Sequence, residues 1–221
     1  MSNYDIYMIK ISENPVSEMY YRTVLNSWEK HNHEIKIFDA ITPKDLYKKN
    51  KLTFGLKEGF KGKPHRPFTL TEKAVWYSHF ELWCKCVVNK KPMLIIEHDS
   101  KLTRKLPDLS KERHKFLSYI MRDWTNDKKK HIAPGSGYYI THLTAMQLVA
   151  QAVSREIVLN SDGHLGGVLN IAKQIKLNDY TYIQQISIDG LNTIDHKAKY
   201  KNFVGLDYEE SDIPSLHGQE V

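Results

Sequence analysis

Three adjacent side chains that can each hold a proton or a metal ion, Glu97, His98 and Asp99, close the apolar run Met93–Ile96 in "KPMLIIEHDSKL". Polar residues at the end of a buried strand stand where open α/β sheets bind ligands, beyond the carboxyl ends of the strands. Glu97 and Asp99, one residue apart, can chelate one divalent cation through oxygen and leave positions for phosphate and water. Such a cation offsets the charge that builds on a departing diphosphate. The competing account is a solvated strand end whose acids cap a neighbouring helix, and a short acidic motif alone does not separate the two.

Other residues of the right type lie before and after this cluster. Glu72, Val75, His79, Leu82 and Cys86 recur at three- and four-residue spacing, which puts Glu72 and His79 on one apolar helical stripe. A histidine on such a stripe is more often a satisfied core residue than a ligand. Lys61, Lys63, His65 and Arg66 fall in a basic stretch that can close on a diphosphate, although a solvated charged insertion fits equally. Asp162, in "NSDGHLGG", is a candidate carboxylate that also suits a turn before glycine, and His164 is a weaker candidate for the same work.

The elements that must position these groups alternate in kind. "YDIYMIKI" reads as a strand, "SEMYYRTVLNSWEKH" as a helix capped by Ser17, and "EIKIFDAI" as a second strand. That is the β-α-β opening of a parallel nucleotide-binding sheet, with Asp39 at a strand end. From Thr42 to Phe68 the chain is basic, glycine-rich and irregular, and is expected to form a mobile loop over a site. "TLTEKAVWYSHFELWCKCVVNKK", with Thr71 as cap, predicts a buried helix, and "PMLIIEHD" predicts a central strand covered on both faces. A helical segment is expected around "RHKFLSYIMRDW". A strand "YYIT", a helix "HLTAMQLVAQAVSR", a glycine-rich turn, a helix "VLNIAKQI" and a strand "YTYIQQIS" follow. The expectation is a single α/β domain over residues 1–221, with an acidic, flexible tail at about 205–221.

Composition narrows the function classes. No apolar run approaches the ~20 residues that span a bilayer, and the first ten residues lack a signal-peptide core, so a cytoplasmic protein is expected. Cys84 and Cys86 form a C-x-C with no second pair, which fits reduced core thiols better than a disulfide or zinc framework. A formal charge of +6, with lysines and arginines in clusters, suits an anionic partner.

The stretch "FTLTEKAVWYSHFELWCKCVVNKKPMLIIEHDSKL" resembles the central signature of glycosyltransferase family 25, the lipopolysaccharide-type sugar transferases. Leu70, Thr71, Glu72, Ser78, His79, Leu82, Trp83, Pro92, Glu97 and Asp99 match the family pattern in order and at nearly its spacing. Shorter likenesses extend over most of residues 4–190, in "IYMIKI", "YYRTVLNSW", "EIKIFDAI", "GSGYYITHLTAMQLV" and "SDGHL". Two departures stand out. The family's glycine before the glutamate is absent at Thr71, and the middle acid of its E-D-D motif is His98, which lowers the negative charge and offers a nitrogen ligand favouring manganese over magnesium.

The resemblance implies a GT-A-like fold and a UDP-linked sugar donor. It implies that Glu97 and Asp99 hold Mn2+ or Mg2+ and the diphosphate, and His98, where this chain departs from the family, offers a further metal ligand. It implies Asp39 near the base or ribose, Arg22 near the donor's entry, Glu72, Ser78 and His79 supporting the site, and Asp162 as acceptor-side carboxylate or general base. Lysines interleaved with Phe54, Phe60, Tyr119, Trp124 and Tyr200 suit a nucleic-acid backbone and an extruded base. Members with an E-H-D variant resemble those carried by bacteriophages, some of which glycosylate hydroxymethylated cytosine in DNA. That acceptor is the preferred expectation, followed by a lipopolysaccharide or other saccharide, and then by an inactive member that binds nucleotide or nucleic acid. A metal-dependent nuclease usually needs three or more acids around two metals, and no further acidic cluster has convincing context.

Overall fold

The computed structural model describes residues 3–48, 57–58, 70–122, 131–134, 137–154, 157–158, 164–165, 169 and 182–186. In chain order these form β1 (Asp5–Lys10), α1 (Pro15–Glu29), β2 (Ile35–Asp39), α2 (Pro43–Lys48), β3 (Lys57–Glu58), α3 (Leu70–Asn89), β4 (Met93–Glu97) and β5 (Ser100–Leu102). There follow β6 (His114–Phe116), β7 (Tyr119–Arg122), β8 (His131–Pro134), β9 (Gly137–Ile140), α4 (His142–Ser154), β10 (Ile157–Val158) and β11 (Ile183–Gln185). The expected helix "VLNIAKQI" apart from Leu169, the acidic tail and most of the basic loop lie outside the described residues.

The β-α-β opening is present, with a different cap. Asn14 Oδ1 accepts the Ser17 N–H at 2.8 Å, and Pro15 opens α1 where its missing N–H leaves no bond unmade. Ser17, the expected cap, instead turns its hydroxyl back to accept the Ile11 N–H at 3.0 Å, tying the helix start to the end of β1. Likewise α3 begins at Leu70, so Thr71 lies inside its first turn instead of capping it.

Five strands form the central sheet in the order β2-β1-β4-β9-β6. β2, β1 and β4 are parallel, with Lys10 opposite Asp39 and Ile9 opposite Glu97. These three strands therefore end level with one another, and Asp39, Lys10 and Glu97 make a polar row along the carboxyl edge. β9 runs antiparallel to β4, and β6 antiparallel to β9, so the sheet is mixed while four of its five strands share one direction. Smaller pairs are β3 with β10, β5 with β11, and β7 with β8.

Strand periodicity divides the core in two. Tyr7, Ile9, Met93, Ile95, Tyr138 and Ile140 point to one face, where Trp76, Tyr77, Leu82, Trp83 and Cys86 of α3 and Leu148 of α4 cover them. Ile6, Met8, Leu94, Ile96 and Tyr139 point to the other, against Val24 and Trp28 of α1 and Leu102, Leu109 and Ile183. Both faces of β4 are dry, which is why its sequence is continuously apolar instead of alternating. Cys84 and Cys86 are free thiols; burial pushes the Cys86 thiol up to about 12, and it donates to the Lys91 carbonyl.

One helix expectation is overturned. "RHKFLSYIMRDW" forms β6 and β7, because Phe116 and the adjacent Leu117 feed opposite cores and the backbone pairs with β9 and β8. Phe116, Leu117, Ile120 and Met121 recur at the one-, four- and five-residue offsets of a helical stripe, and strand pairing decides the conformation. Within the expected loop, Pro43–Lys48 is helical, with the Asp45 carboxylate accepting the Thr42 N–H at 2.9 Å.

Candidate functional site

Glu97 ends β4 in the same parity as Met93 and Ile95, so its side chain leaves the sheet on the α3 face. There its Oε1 meets His79 Nε2 at 3.5 Å, while His79 Nδ1 lies 2.8 Å from the Tyr138 hydroxyl. The Trp83 indole N–H donates to that same hydroxyl at 2.8 Å. His79, Tyr138 and Trp83 are all buried, whereas the Glu97 side chain is 32% exposed. Burial alone would raise the Glu97 carboxyl. The His79 hydrogen bond and charge, with a smaller contribution from His98, outweigh it and hold the group below its usual range. Ser78, next to His79, works on the neighbouring loop: its hydroxyl accepts the Ile41 N–H at 2.9 Å and donates to the Ala74 carbonyl. The S-H dipeptide of α3 thus anchors the ends of two parallel strands at once.

After Glu97 the chain turns through His98 and Asp99 into β5, so the two acids do not alternate along one strand as expected. The Ser100 hydroxyl accepts the Glu97 N–H at 3.1 Å and closes the turn, and the Trp28 indole N–H donates to the Ser100 carbonyl at 2.8 Å. Asp99 is buried. Its Oδ2 accepts from the Gln185 side chain at 2.8 Å, and its Oδ1 has no hydrogen-bond partner among the described residues. Desolvation first, and then the Glu97 charge, push the Asp99 carboxyl up to about 7. Near neutral pH Glu97 is therefore ionised, and Asp99 is the acid that takes up a proton. β11 reaches this place because Gly137, at the start of β9, has no side chain: a Cβ there would lie 2.6 Å from Ile183 Cδ1.

His98 is buried, its ring centroid 5.6 Å from that of Tyr20, and it is hydrogen-bonded to the Ile9 backbone. Burial holds its imidazole below the usual value. Among the described residues no three His, Cys, Asp or Glu side chains converge as a metal-ligand cluster, so the expected trio of Glu97, His98 and Asp99 is not gathered as one. The carboxylate pair still fits a hard cation. One Asp99 oxygen is buried and uncompensated, and magnesium and manganese sites commonly use one or two carboxylates, with phosphate and water completing the shell.

The remaining expected residues are spread more widely. Asp39 stands at the carboxyl edge and accepts the Ser12 N–H at 3.1 Å. Arg22 is exposed on α1 and pairs with Glu18 at 2.7 Å; Glu18 also pairs with Lys10, linking Arg22 to the strand-end row. Glu72 lies half-buried in the first turn of α3, about two helical turns before His79. His164 is a core residue, donating from Nε2 to the Leu148 carbonyl at 3.1 Å and stacked on Trp83. Asp162, Lys63 and Arg66 lie outside the described residues, with the basic loop around them.

Comparison with known proteins decides the family. The model of glycosyltransferase family 25, described as an LPS biosynthesis protein, matches residues 21–133, just over half of the chain. The chain belongs to glycosyltransferase family 25. A search of curated proteins finds no match. The family 25 span holds α3, β4 and the Glu97–Asp99 turn, and the mixed sheet of the whole chain, covered by helices, is consistent with a GT-A-like fold. Of the residues that surround the Glu97–Asp99 turn, Gln185 escapes a motif-based search, whereas Gly137 and Tyr138 fall in the "GSGYYIT" likeness without a role assigned to either. Tyr138 and Gly137 lie in "GYYI" and Gln185 in "YIQQIS", all beyond the matched span, and Gln185 is 86 residues from the acid it contacts. The "GSGYYIT" likeness marks the strand that carries Tyr138, and nothing in the sequence ties its hydroxyl to His79. No helix among the described residues is long and apolar enough to cross a membrane.

Proposed function

We propose that this family 25 glycosyltransferase is a cytoplasmic enzyme that moves a sugar from a UDP-linked donor to a hydroxyl of a saccharide acceptor, with a divalent cation held by Glu97 and Asp99. The observation that carries the reading is the buried, uncompensated Asp99 Oδ1 beside Glu97 at the level carboxyl ends of β2, β1 and β4. A cation bound there supplies Lewis-acid stabilisation of the leaving diphosphate. Glu97 stays anionic through its contact with His79, and Asp99 gives up its proton when a positive charge arrives. Gln185 keeps Asp99 Oδ2 engaged, so Oδ1 is the oxygen turned to the ligand. Asp39 and Lys10 line the nucleotide end of the same edge, and Arg22 stands behind them through Glu18. In this reading Lys63 and Arg66 meet the diphosphate, and Asp162 is the acceptor-side carboxylate that takes the hydroxyl proton.

The family description supports a saccharide acceptor. The aromatic and basic residues that suggested hydroxymethylated DNA (Phe54, Phe60, Trp124 and Tyr200, with the side chain of Tyr119) lie outside what the structure describes. The test is UDP release from a panel of UDP-sugars with Mn2+ or Mg2+, offered a lipopolysaccharide-type saccharide or hydroxymethylcytosine duplex DNA. Release that needs the cation, rises with the saccharide and disappears in Asp99→Ala supports the reading. Release that rises only with DNA moves the acceptor to the modified base. Absence of both release and donor binding overturns the enzymatic reading.

A further inference from the structure

Helix α4 meets solvent without a charge. Its 13 residues include no Lys, Arg, Asp or Glu, in a chain that is 26% charged. Thr144, Ala145, Leu148 and Ala152 form its buried side. The opposite side turns Leu143, Met146, Ala150 and Val153 outward at three- and four-residue spacing, with Leu143 52%, Met146 50% and Val153 60% exposed. Met93 pairs with Ile140, so the end of α3 and the start of α4 lie at the same edge of the sheet, and there Val88 of α3 is 78% exposed. A single exposed apolar residue is ordinary, whereas a stripe of four on one helix with a fifth at its edge marks a contact surface.

Cations stand at that same edge. Lys90, Lys111 and Arg113 are exposed, and none pairs with a carboxylate among the described residues. The Arg113 carbonyl accepts the Thr141 N–H and the Thr144 hydroxyl, each at 2.9 Å, which fixes Arg113 beside the first turn of α4. We propose that α4 is a membrane-docking surface, whose apolar stripe enters the headgroup boundary of an anionic bilayer while Lys90, Lys111 and Arg113 meet the lipid phosphates. The size of the face favours lipid over a second copy of the chain. A standard protein interface takes about 800 Å² from each partner, and a stripe one or two side chains wide along a helix about 20 Å long falls short of that. Helix α4 also holds no acid to meet the cations of a second copy, whereas a bilayer supplies the anions and sets no minimum area. Glu97 stands at the far end of β4 from Met93, so a surface held at the start of α4 leaves the carboxyl edge of the sheet open.

The experiment is sedimentation of the full chain with vesicles of phosphatidylcholine, with and without phosphatidylglycerol. The wild type is expected to sediment with the anionic vesicles and far less with the neutral ones. Leu143→Ser combined with Met146→Ser and Val153→Ser is expected to bind the anionic vesicles about 10-fold more weakly. Lys111→Gln with Arg113→Gln is expected to lose affinity most at low salt. Both proteins should keep the wild-type urea midpoint, because the replaced side chains are exposed. A wild type that stays in the supernatant overturns the proposal. So does an apolar triple variant that binds undiminished, since dispersed positive charge would then account for the attraction. A triple variant that binds undiminished and turns a wild-type dimer into a monomer assigns the face to a second copy instead. Should the triple variant fail to fold, Met146→Ser alone makes the same comparison, with a loss of about 2-fold expected and an unchanged affinity overturning the proposal.

Discussion

Glu97 is a third exposed, leaves the sheet on the α3 face and takes its donor from His79, while Asp99, two residues later, is buried beside β11 and takes its donor from Gln185. One carboxyl is held below its usual range and the other is pushed up to about 7. The turn closed by Ser100 produces this difference, because it hands successive acids to different packing layers. Two acids in one motif thus acquire unlike protonation states from their surroundings. Because Asp99 takes up a proton near pH 7 when the site is empty, the turn does not store the full repulsion between two neighbouring anions.

The largest expected effect is on catalysis. Glu97→Ala and Asp99→Ala should each lower cation-dependent UDP release on the order of 100-fold or more, measured at saturating donor. Stability should then separate the two acids. Asp99 has a folded value raised above its unfolded 3.8, so in metal-free protein its contribution is fully present below about pH 4 and is lost as pH rises to about 7. The loss is on the order of 4 kcal/mol at most. Glu97, lowered from 4.5, behaves oppositely: its contribution is present above that value and lost on acidification. Urea melts from pH 4 to 8 should therefore show Asp99→Asn flattening the decline towards neutral pH, with Glu97→Gln less stable than wild type at pH 7. The same slope in both variants would erase the comparison.

A smaller effect is expected from the backbone that delivers Gln185. Gly137→Ala should displace Ile183 and cost about 1–3 kcal/mol, seen as a lower urea midpoint, and it should disturb Asp99 more than Glu97. Ser78→Ala on the Glu97 side removes the acceptor of the buried Ile41 N–H and should cost about 1–3 kcal/mol in the same assay. A Gly137→Ala protein with unchanged stability and unchanged Mn2+ binding would show that β11 does not constrain Asp99.

Much of this arrangement is legible in the sequence because it depends on short-range pattern. The apolar run Met93–Ile96 predicts a strand covered on both faces, and the 3.6-residue stripe through His79 places that histidine toward the sheet. Strand parity then puts Glu97 on the same side as His79. What the pattern hides is long-range. Gln185 meets Asp99 across 86 residues, and nothing in "YIQQIS" marks it. Phe116 and Leu117, with Ile120 and Met121, imitate a helical stripe, yet Phe116 and Leu117 enter different cores as strand residues do. Ser17 looks like a cap since serine often is one, but Asn14 stands nearer the true helix start and Pro15 fixes the first turn. The antiparallel direction of β9 is likewise set by tertiary pairing, and its apolar sequence suits either direction.

The central claim is that Glu97 and Asp99 together hold a cation against the diphosphate of the donor. Calorimetric titration of UDP into the purified protein, with and without Mn2+, in wild type and in Asp99→Asn, tests it most directly. The account predicts UDP binding that requires Mn2+ in the wild type and is lost in Asp99→Asn. UDP binding of equal strength without the cation, or undiminished in Asp99→Asn, would contradict it.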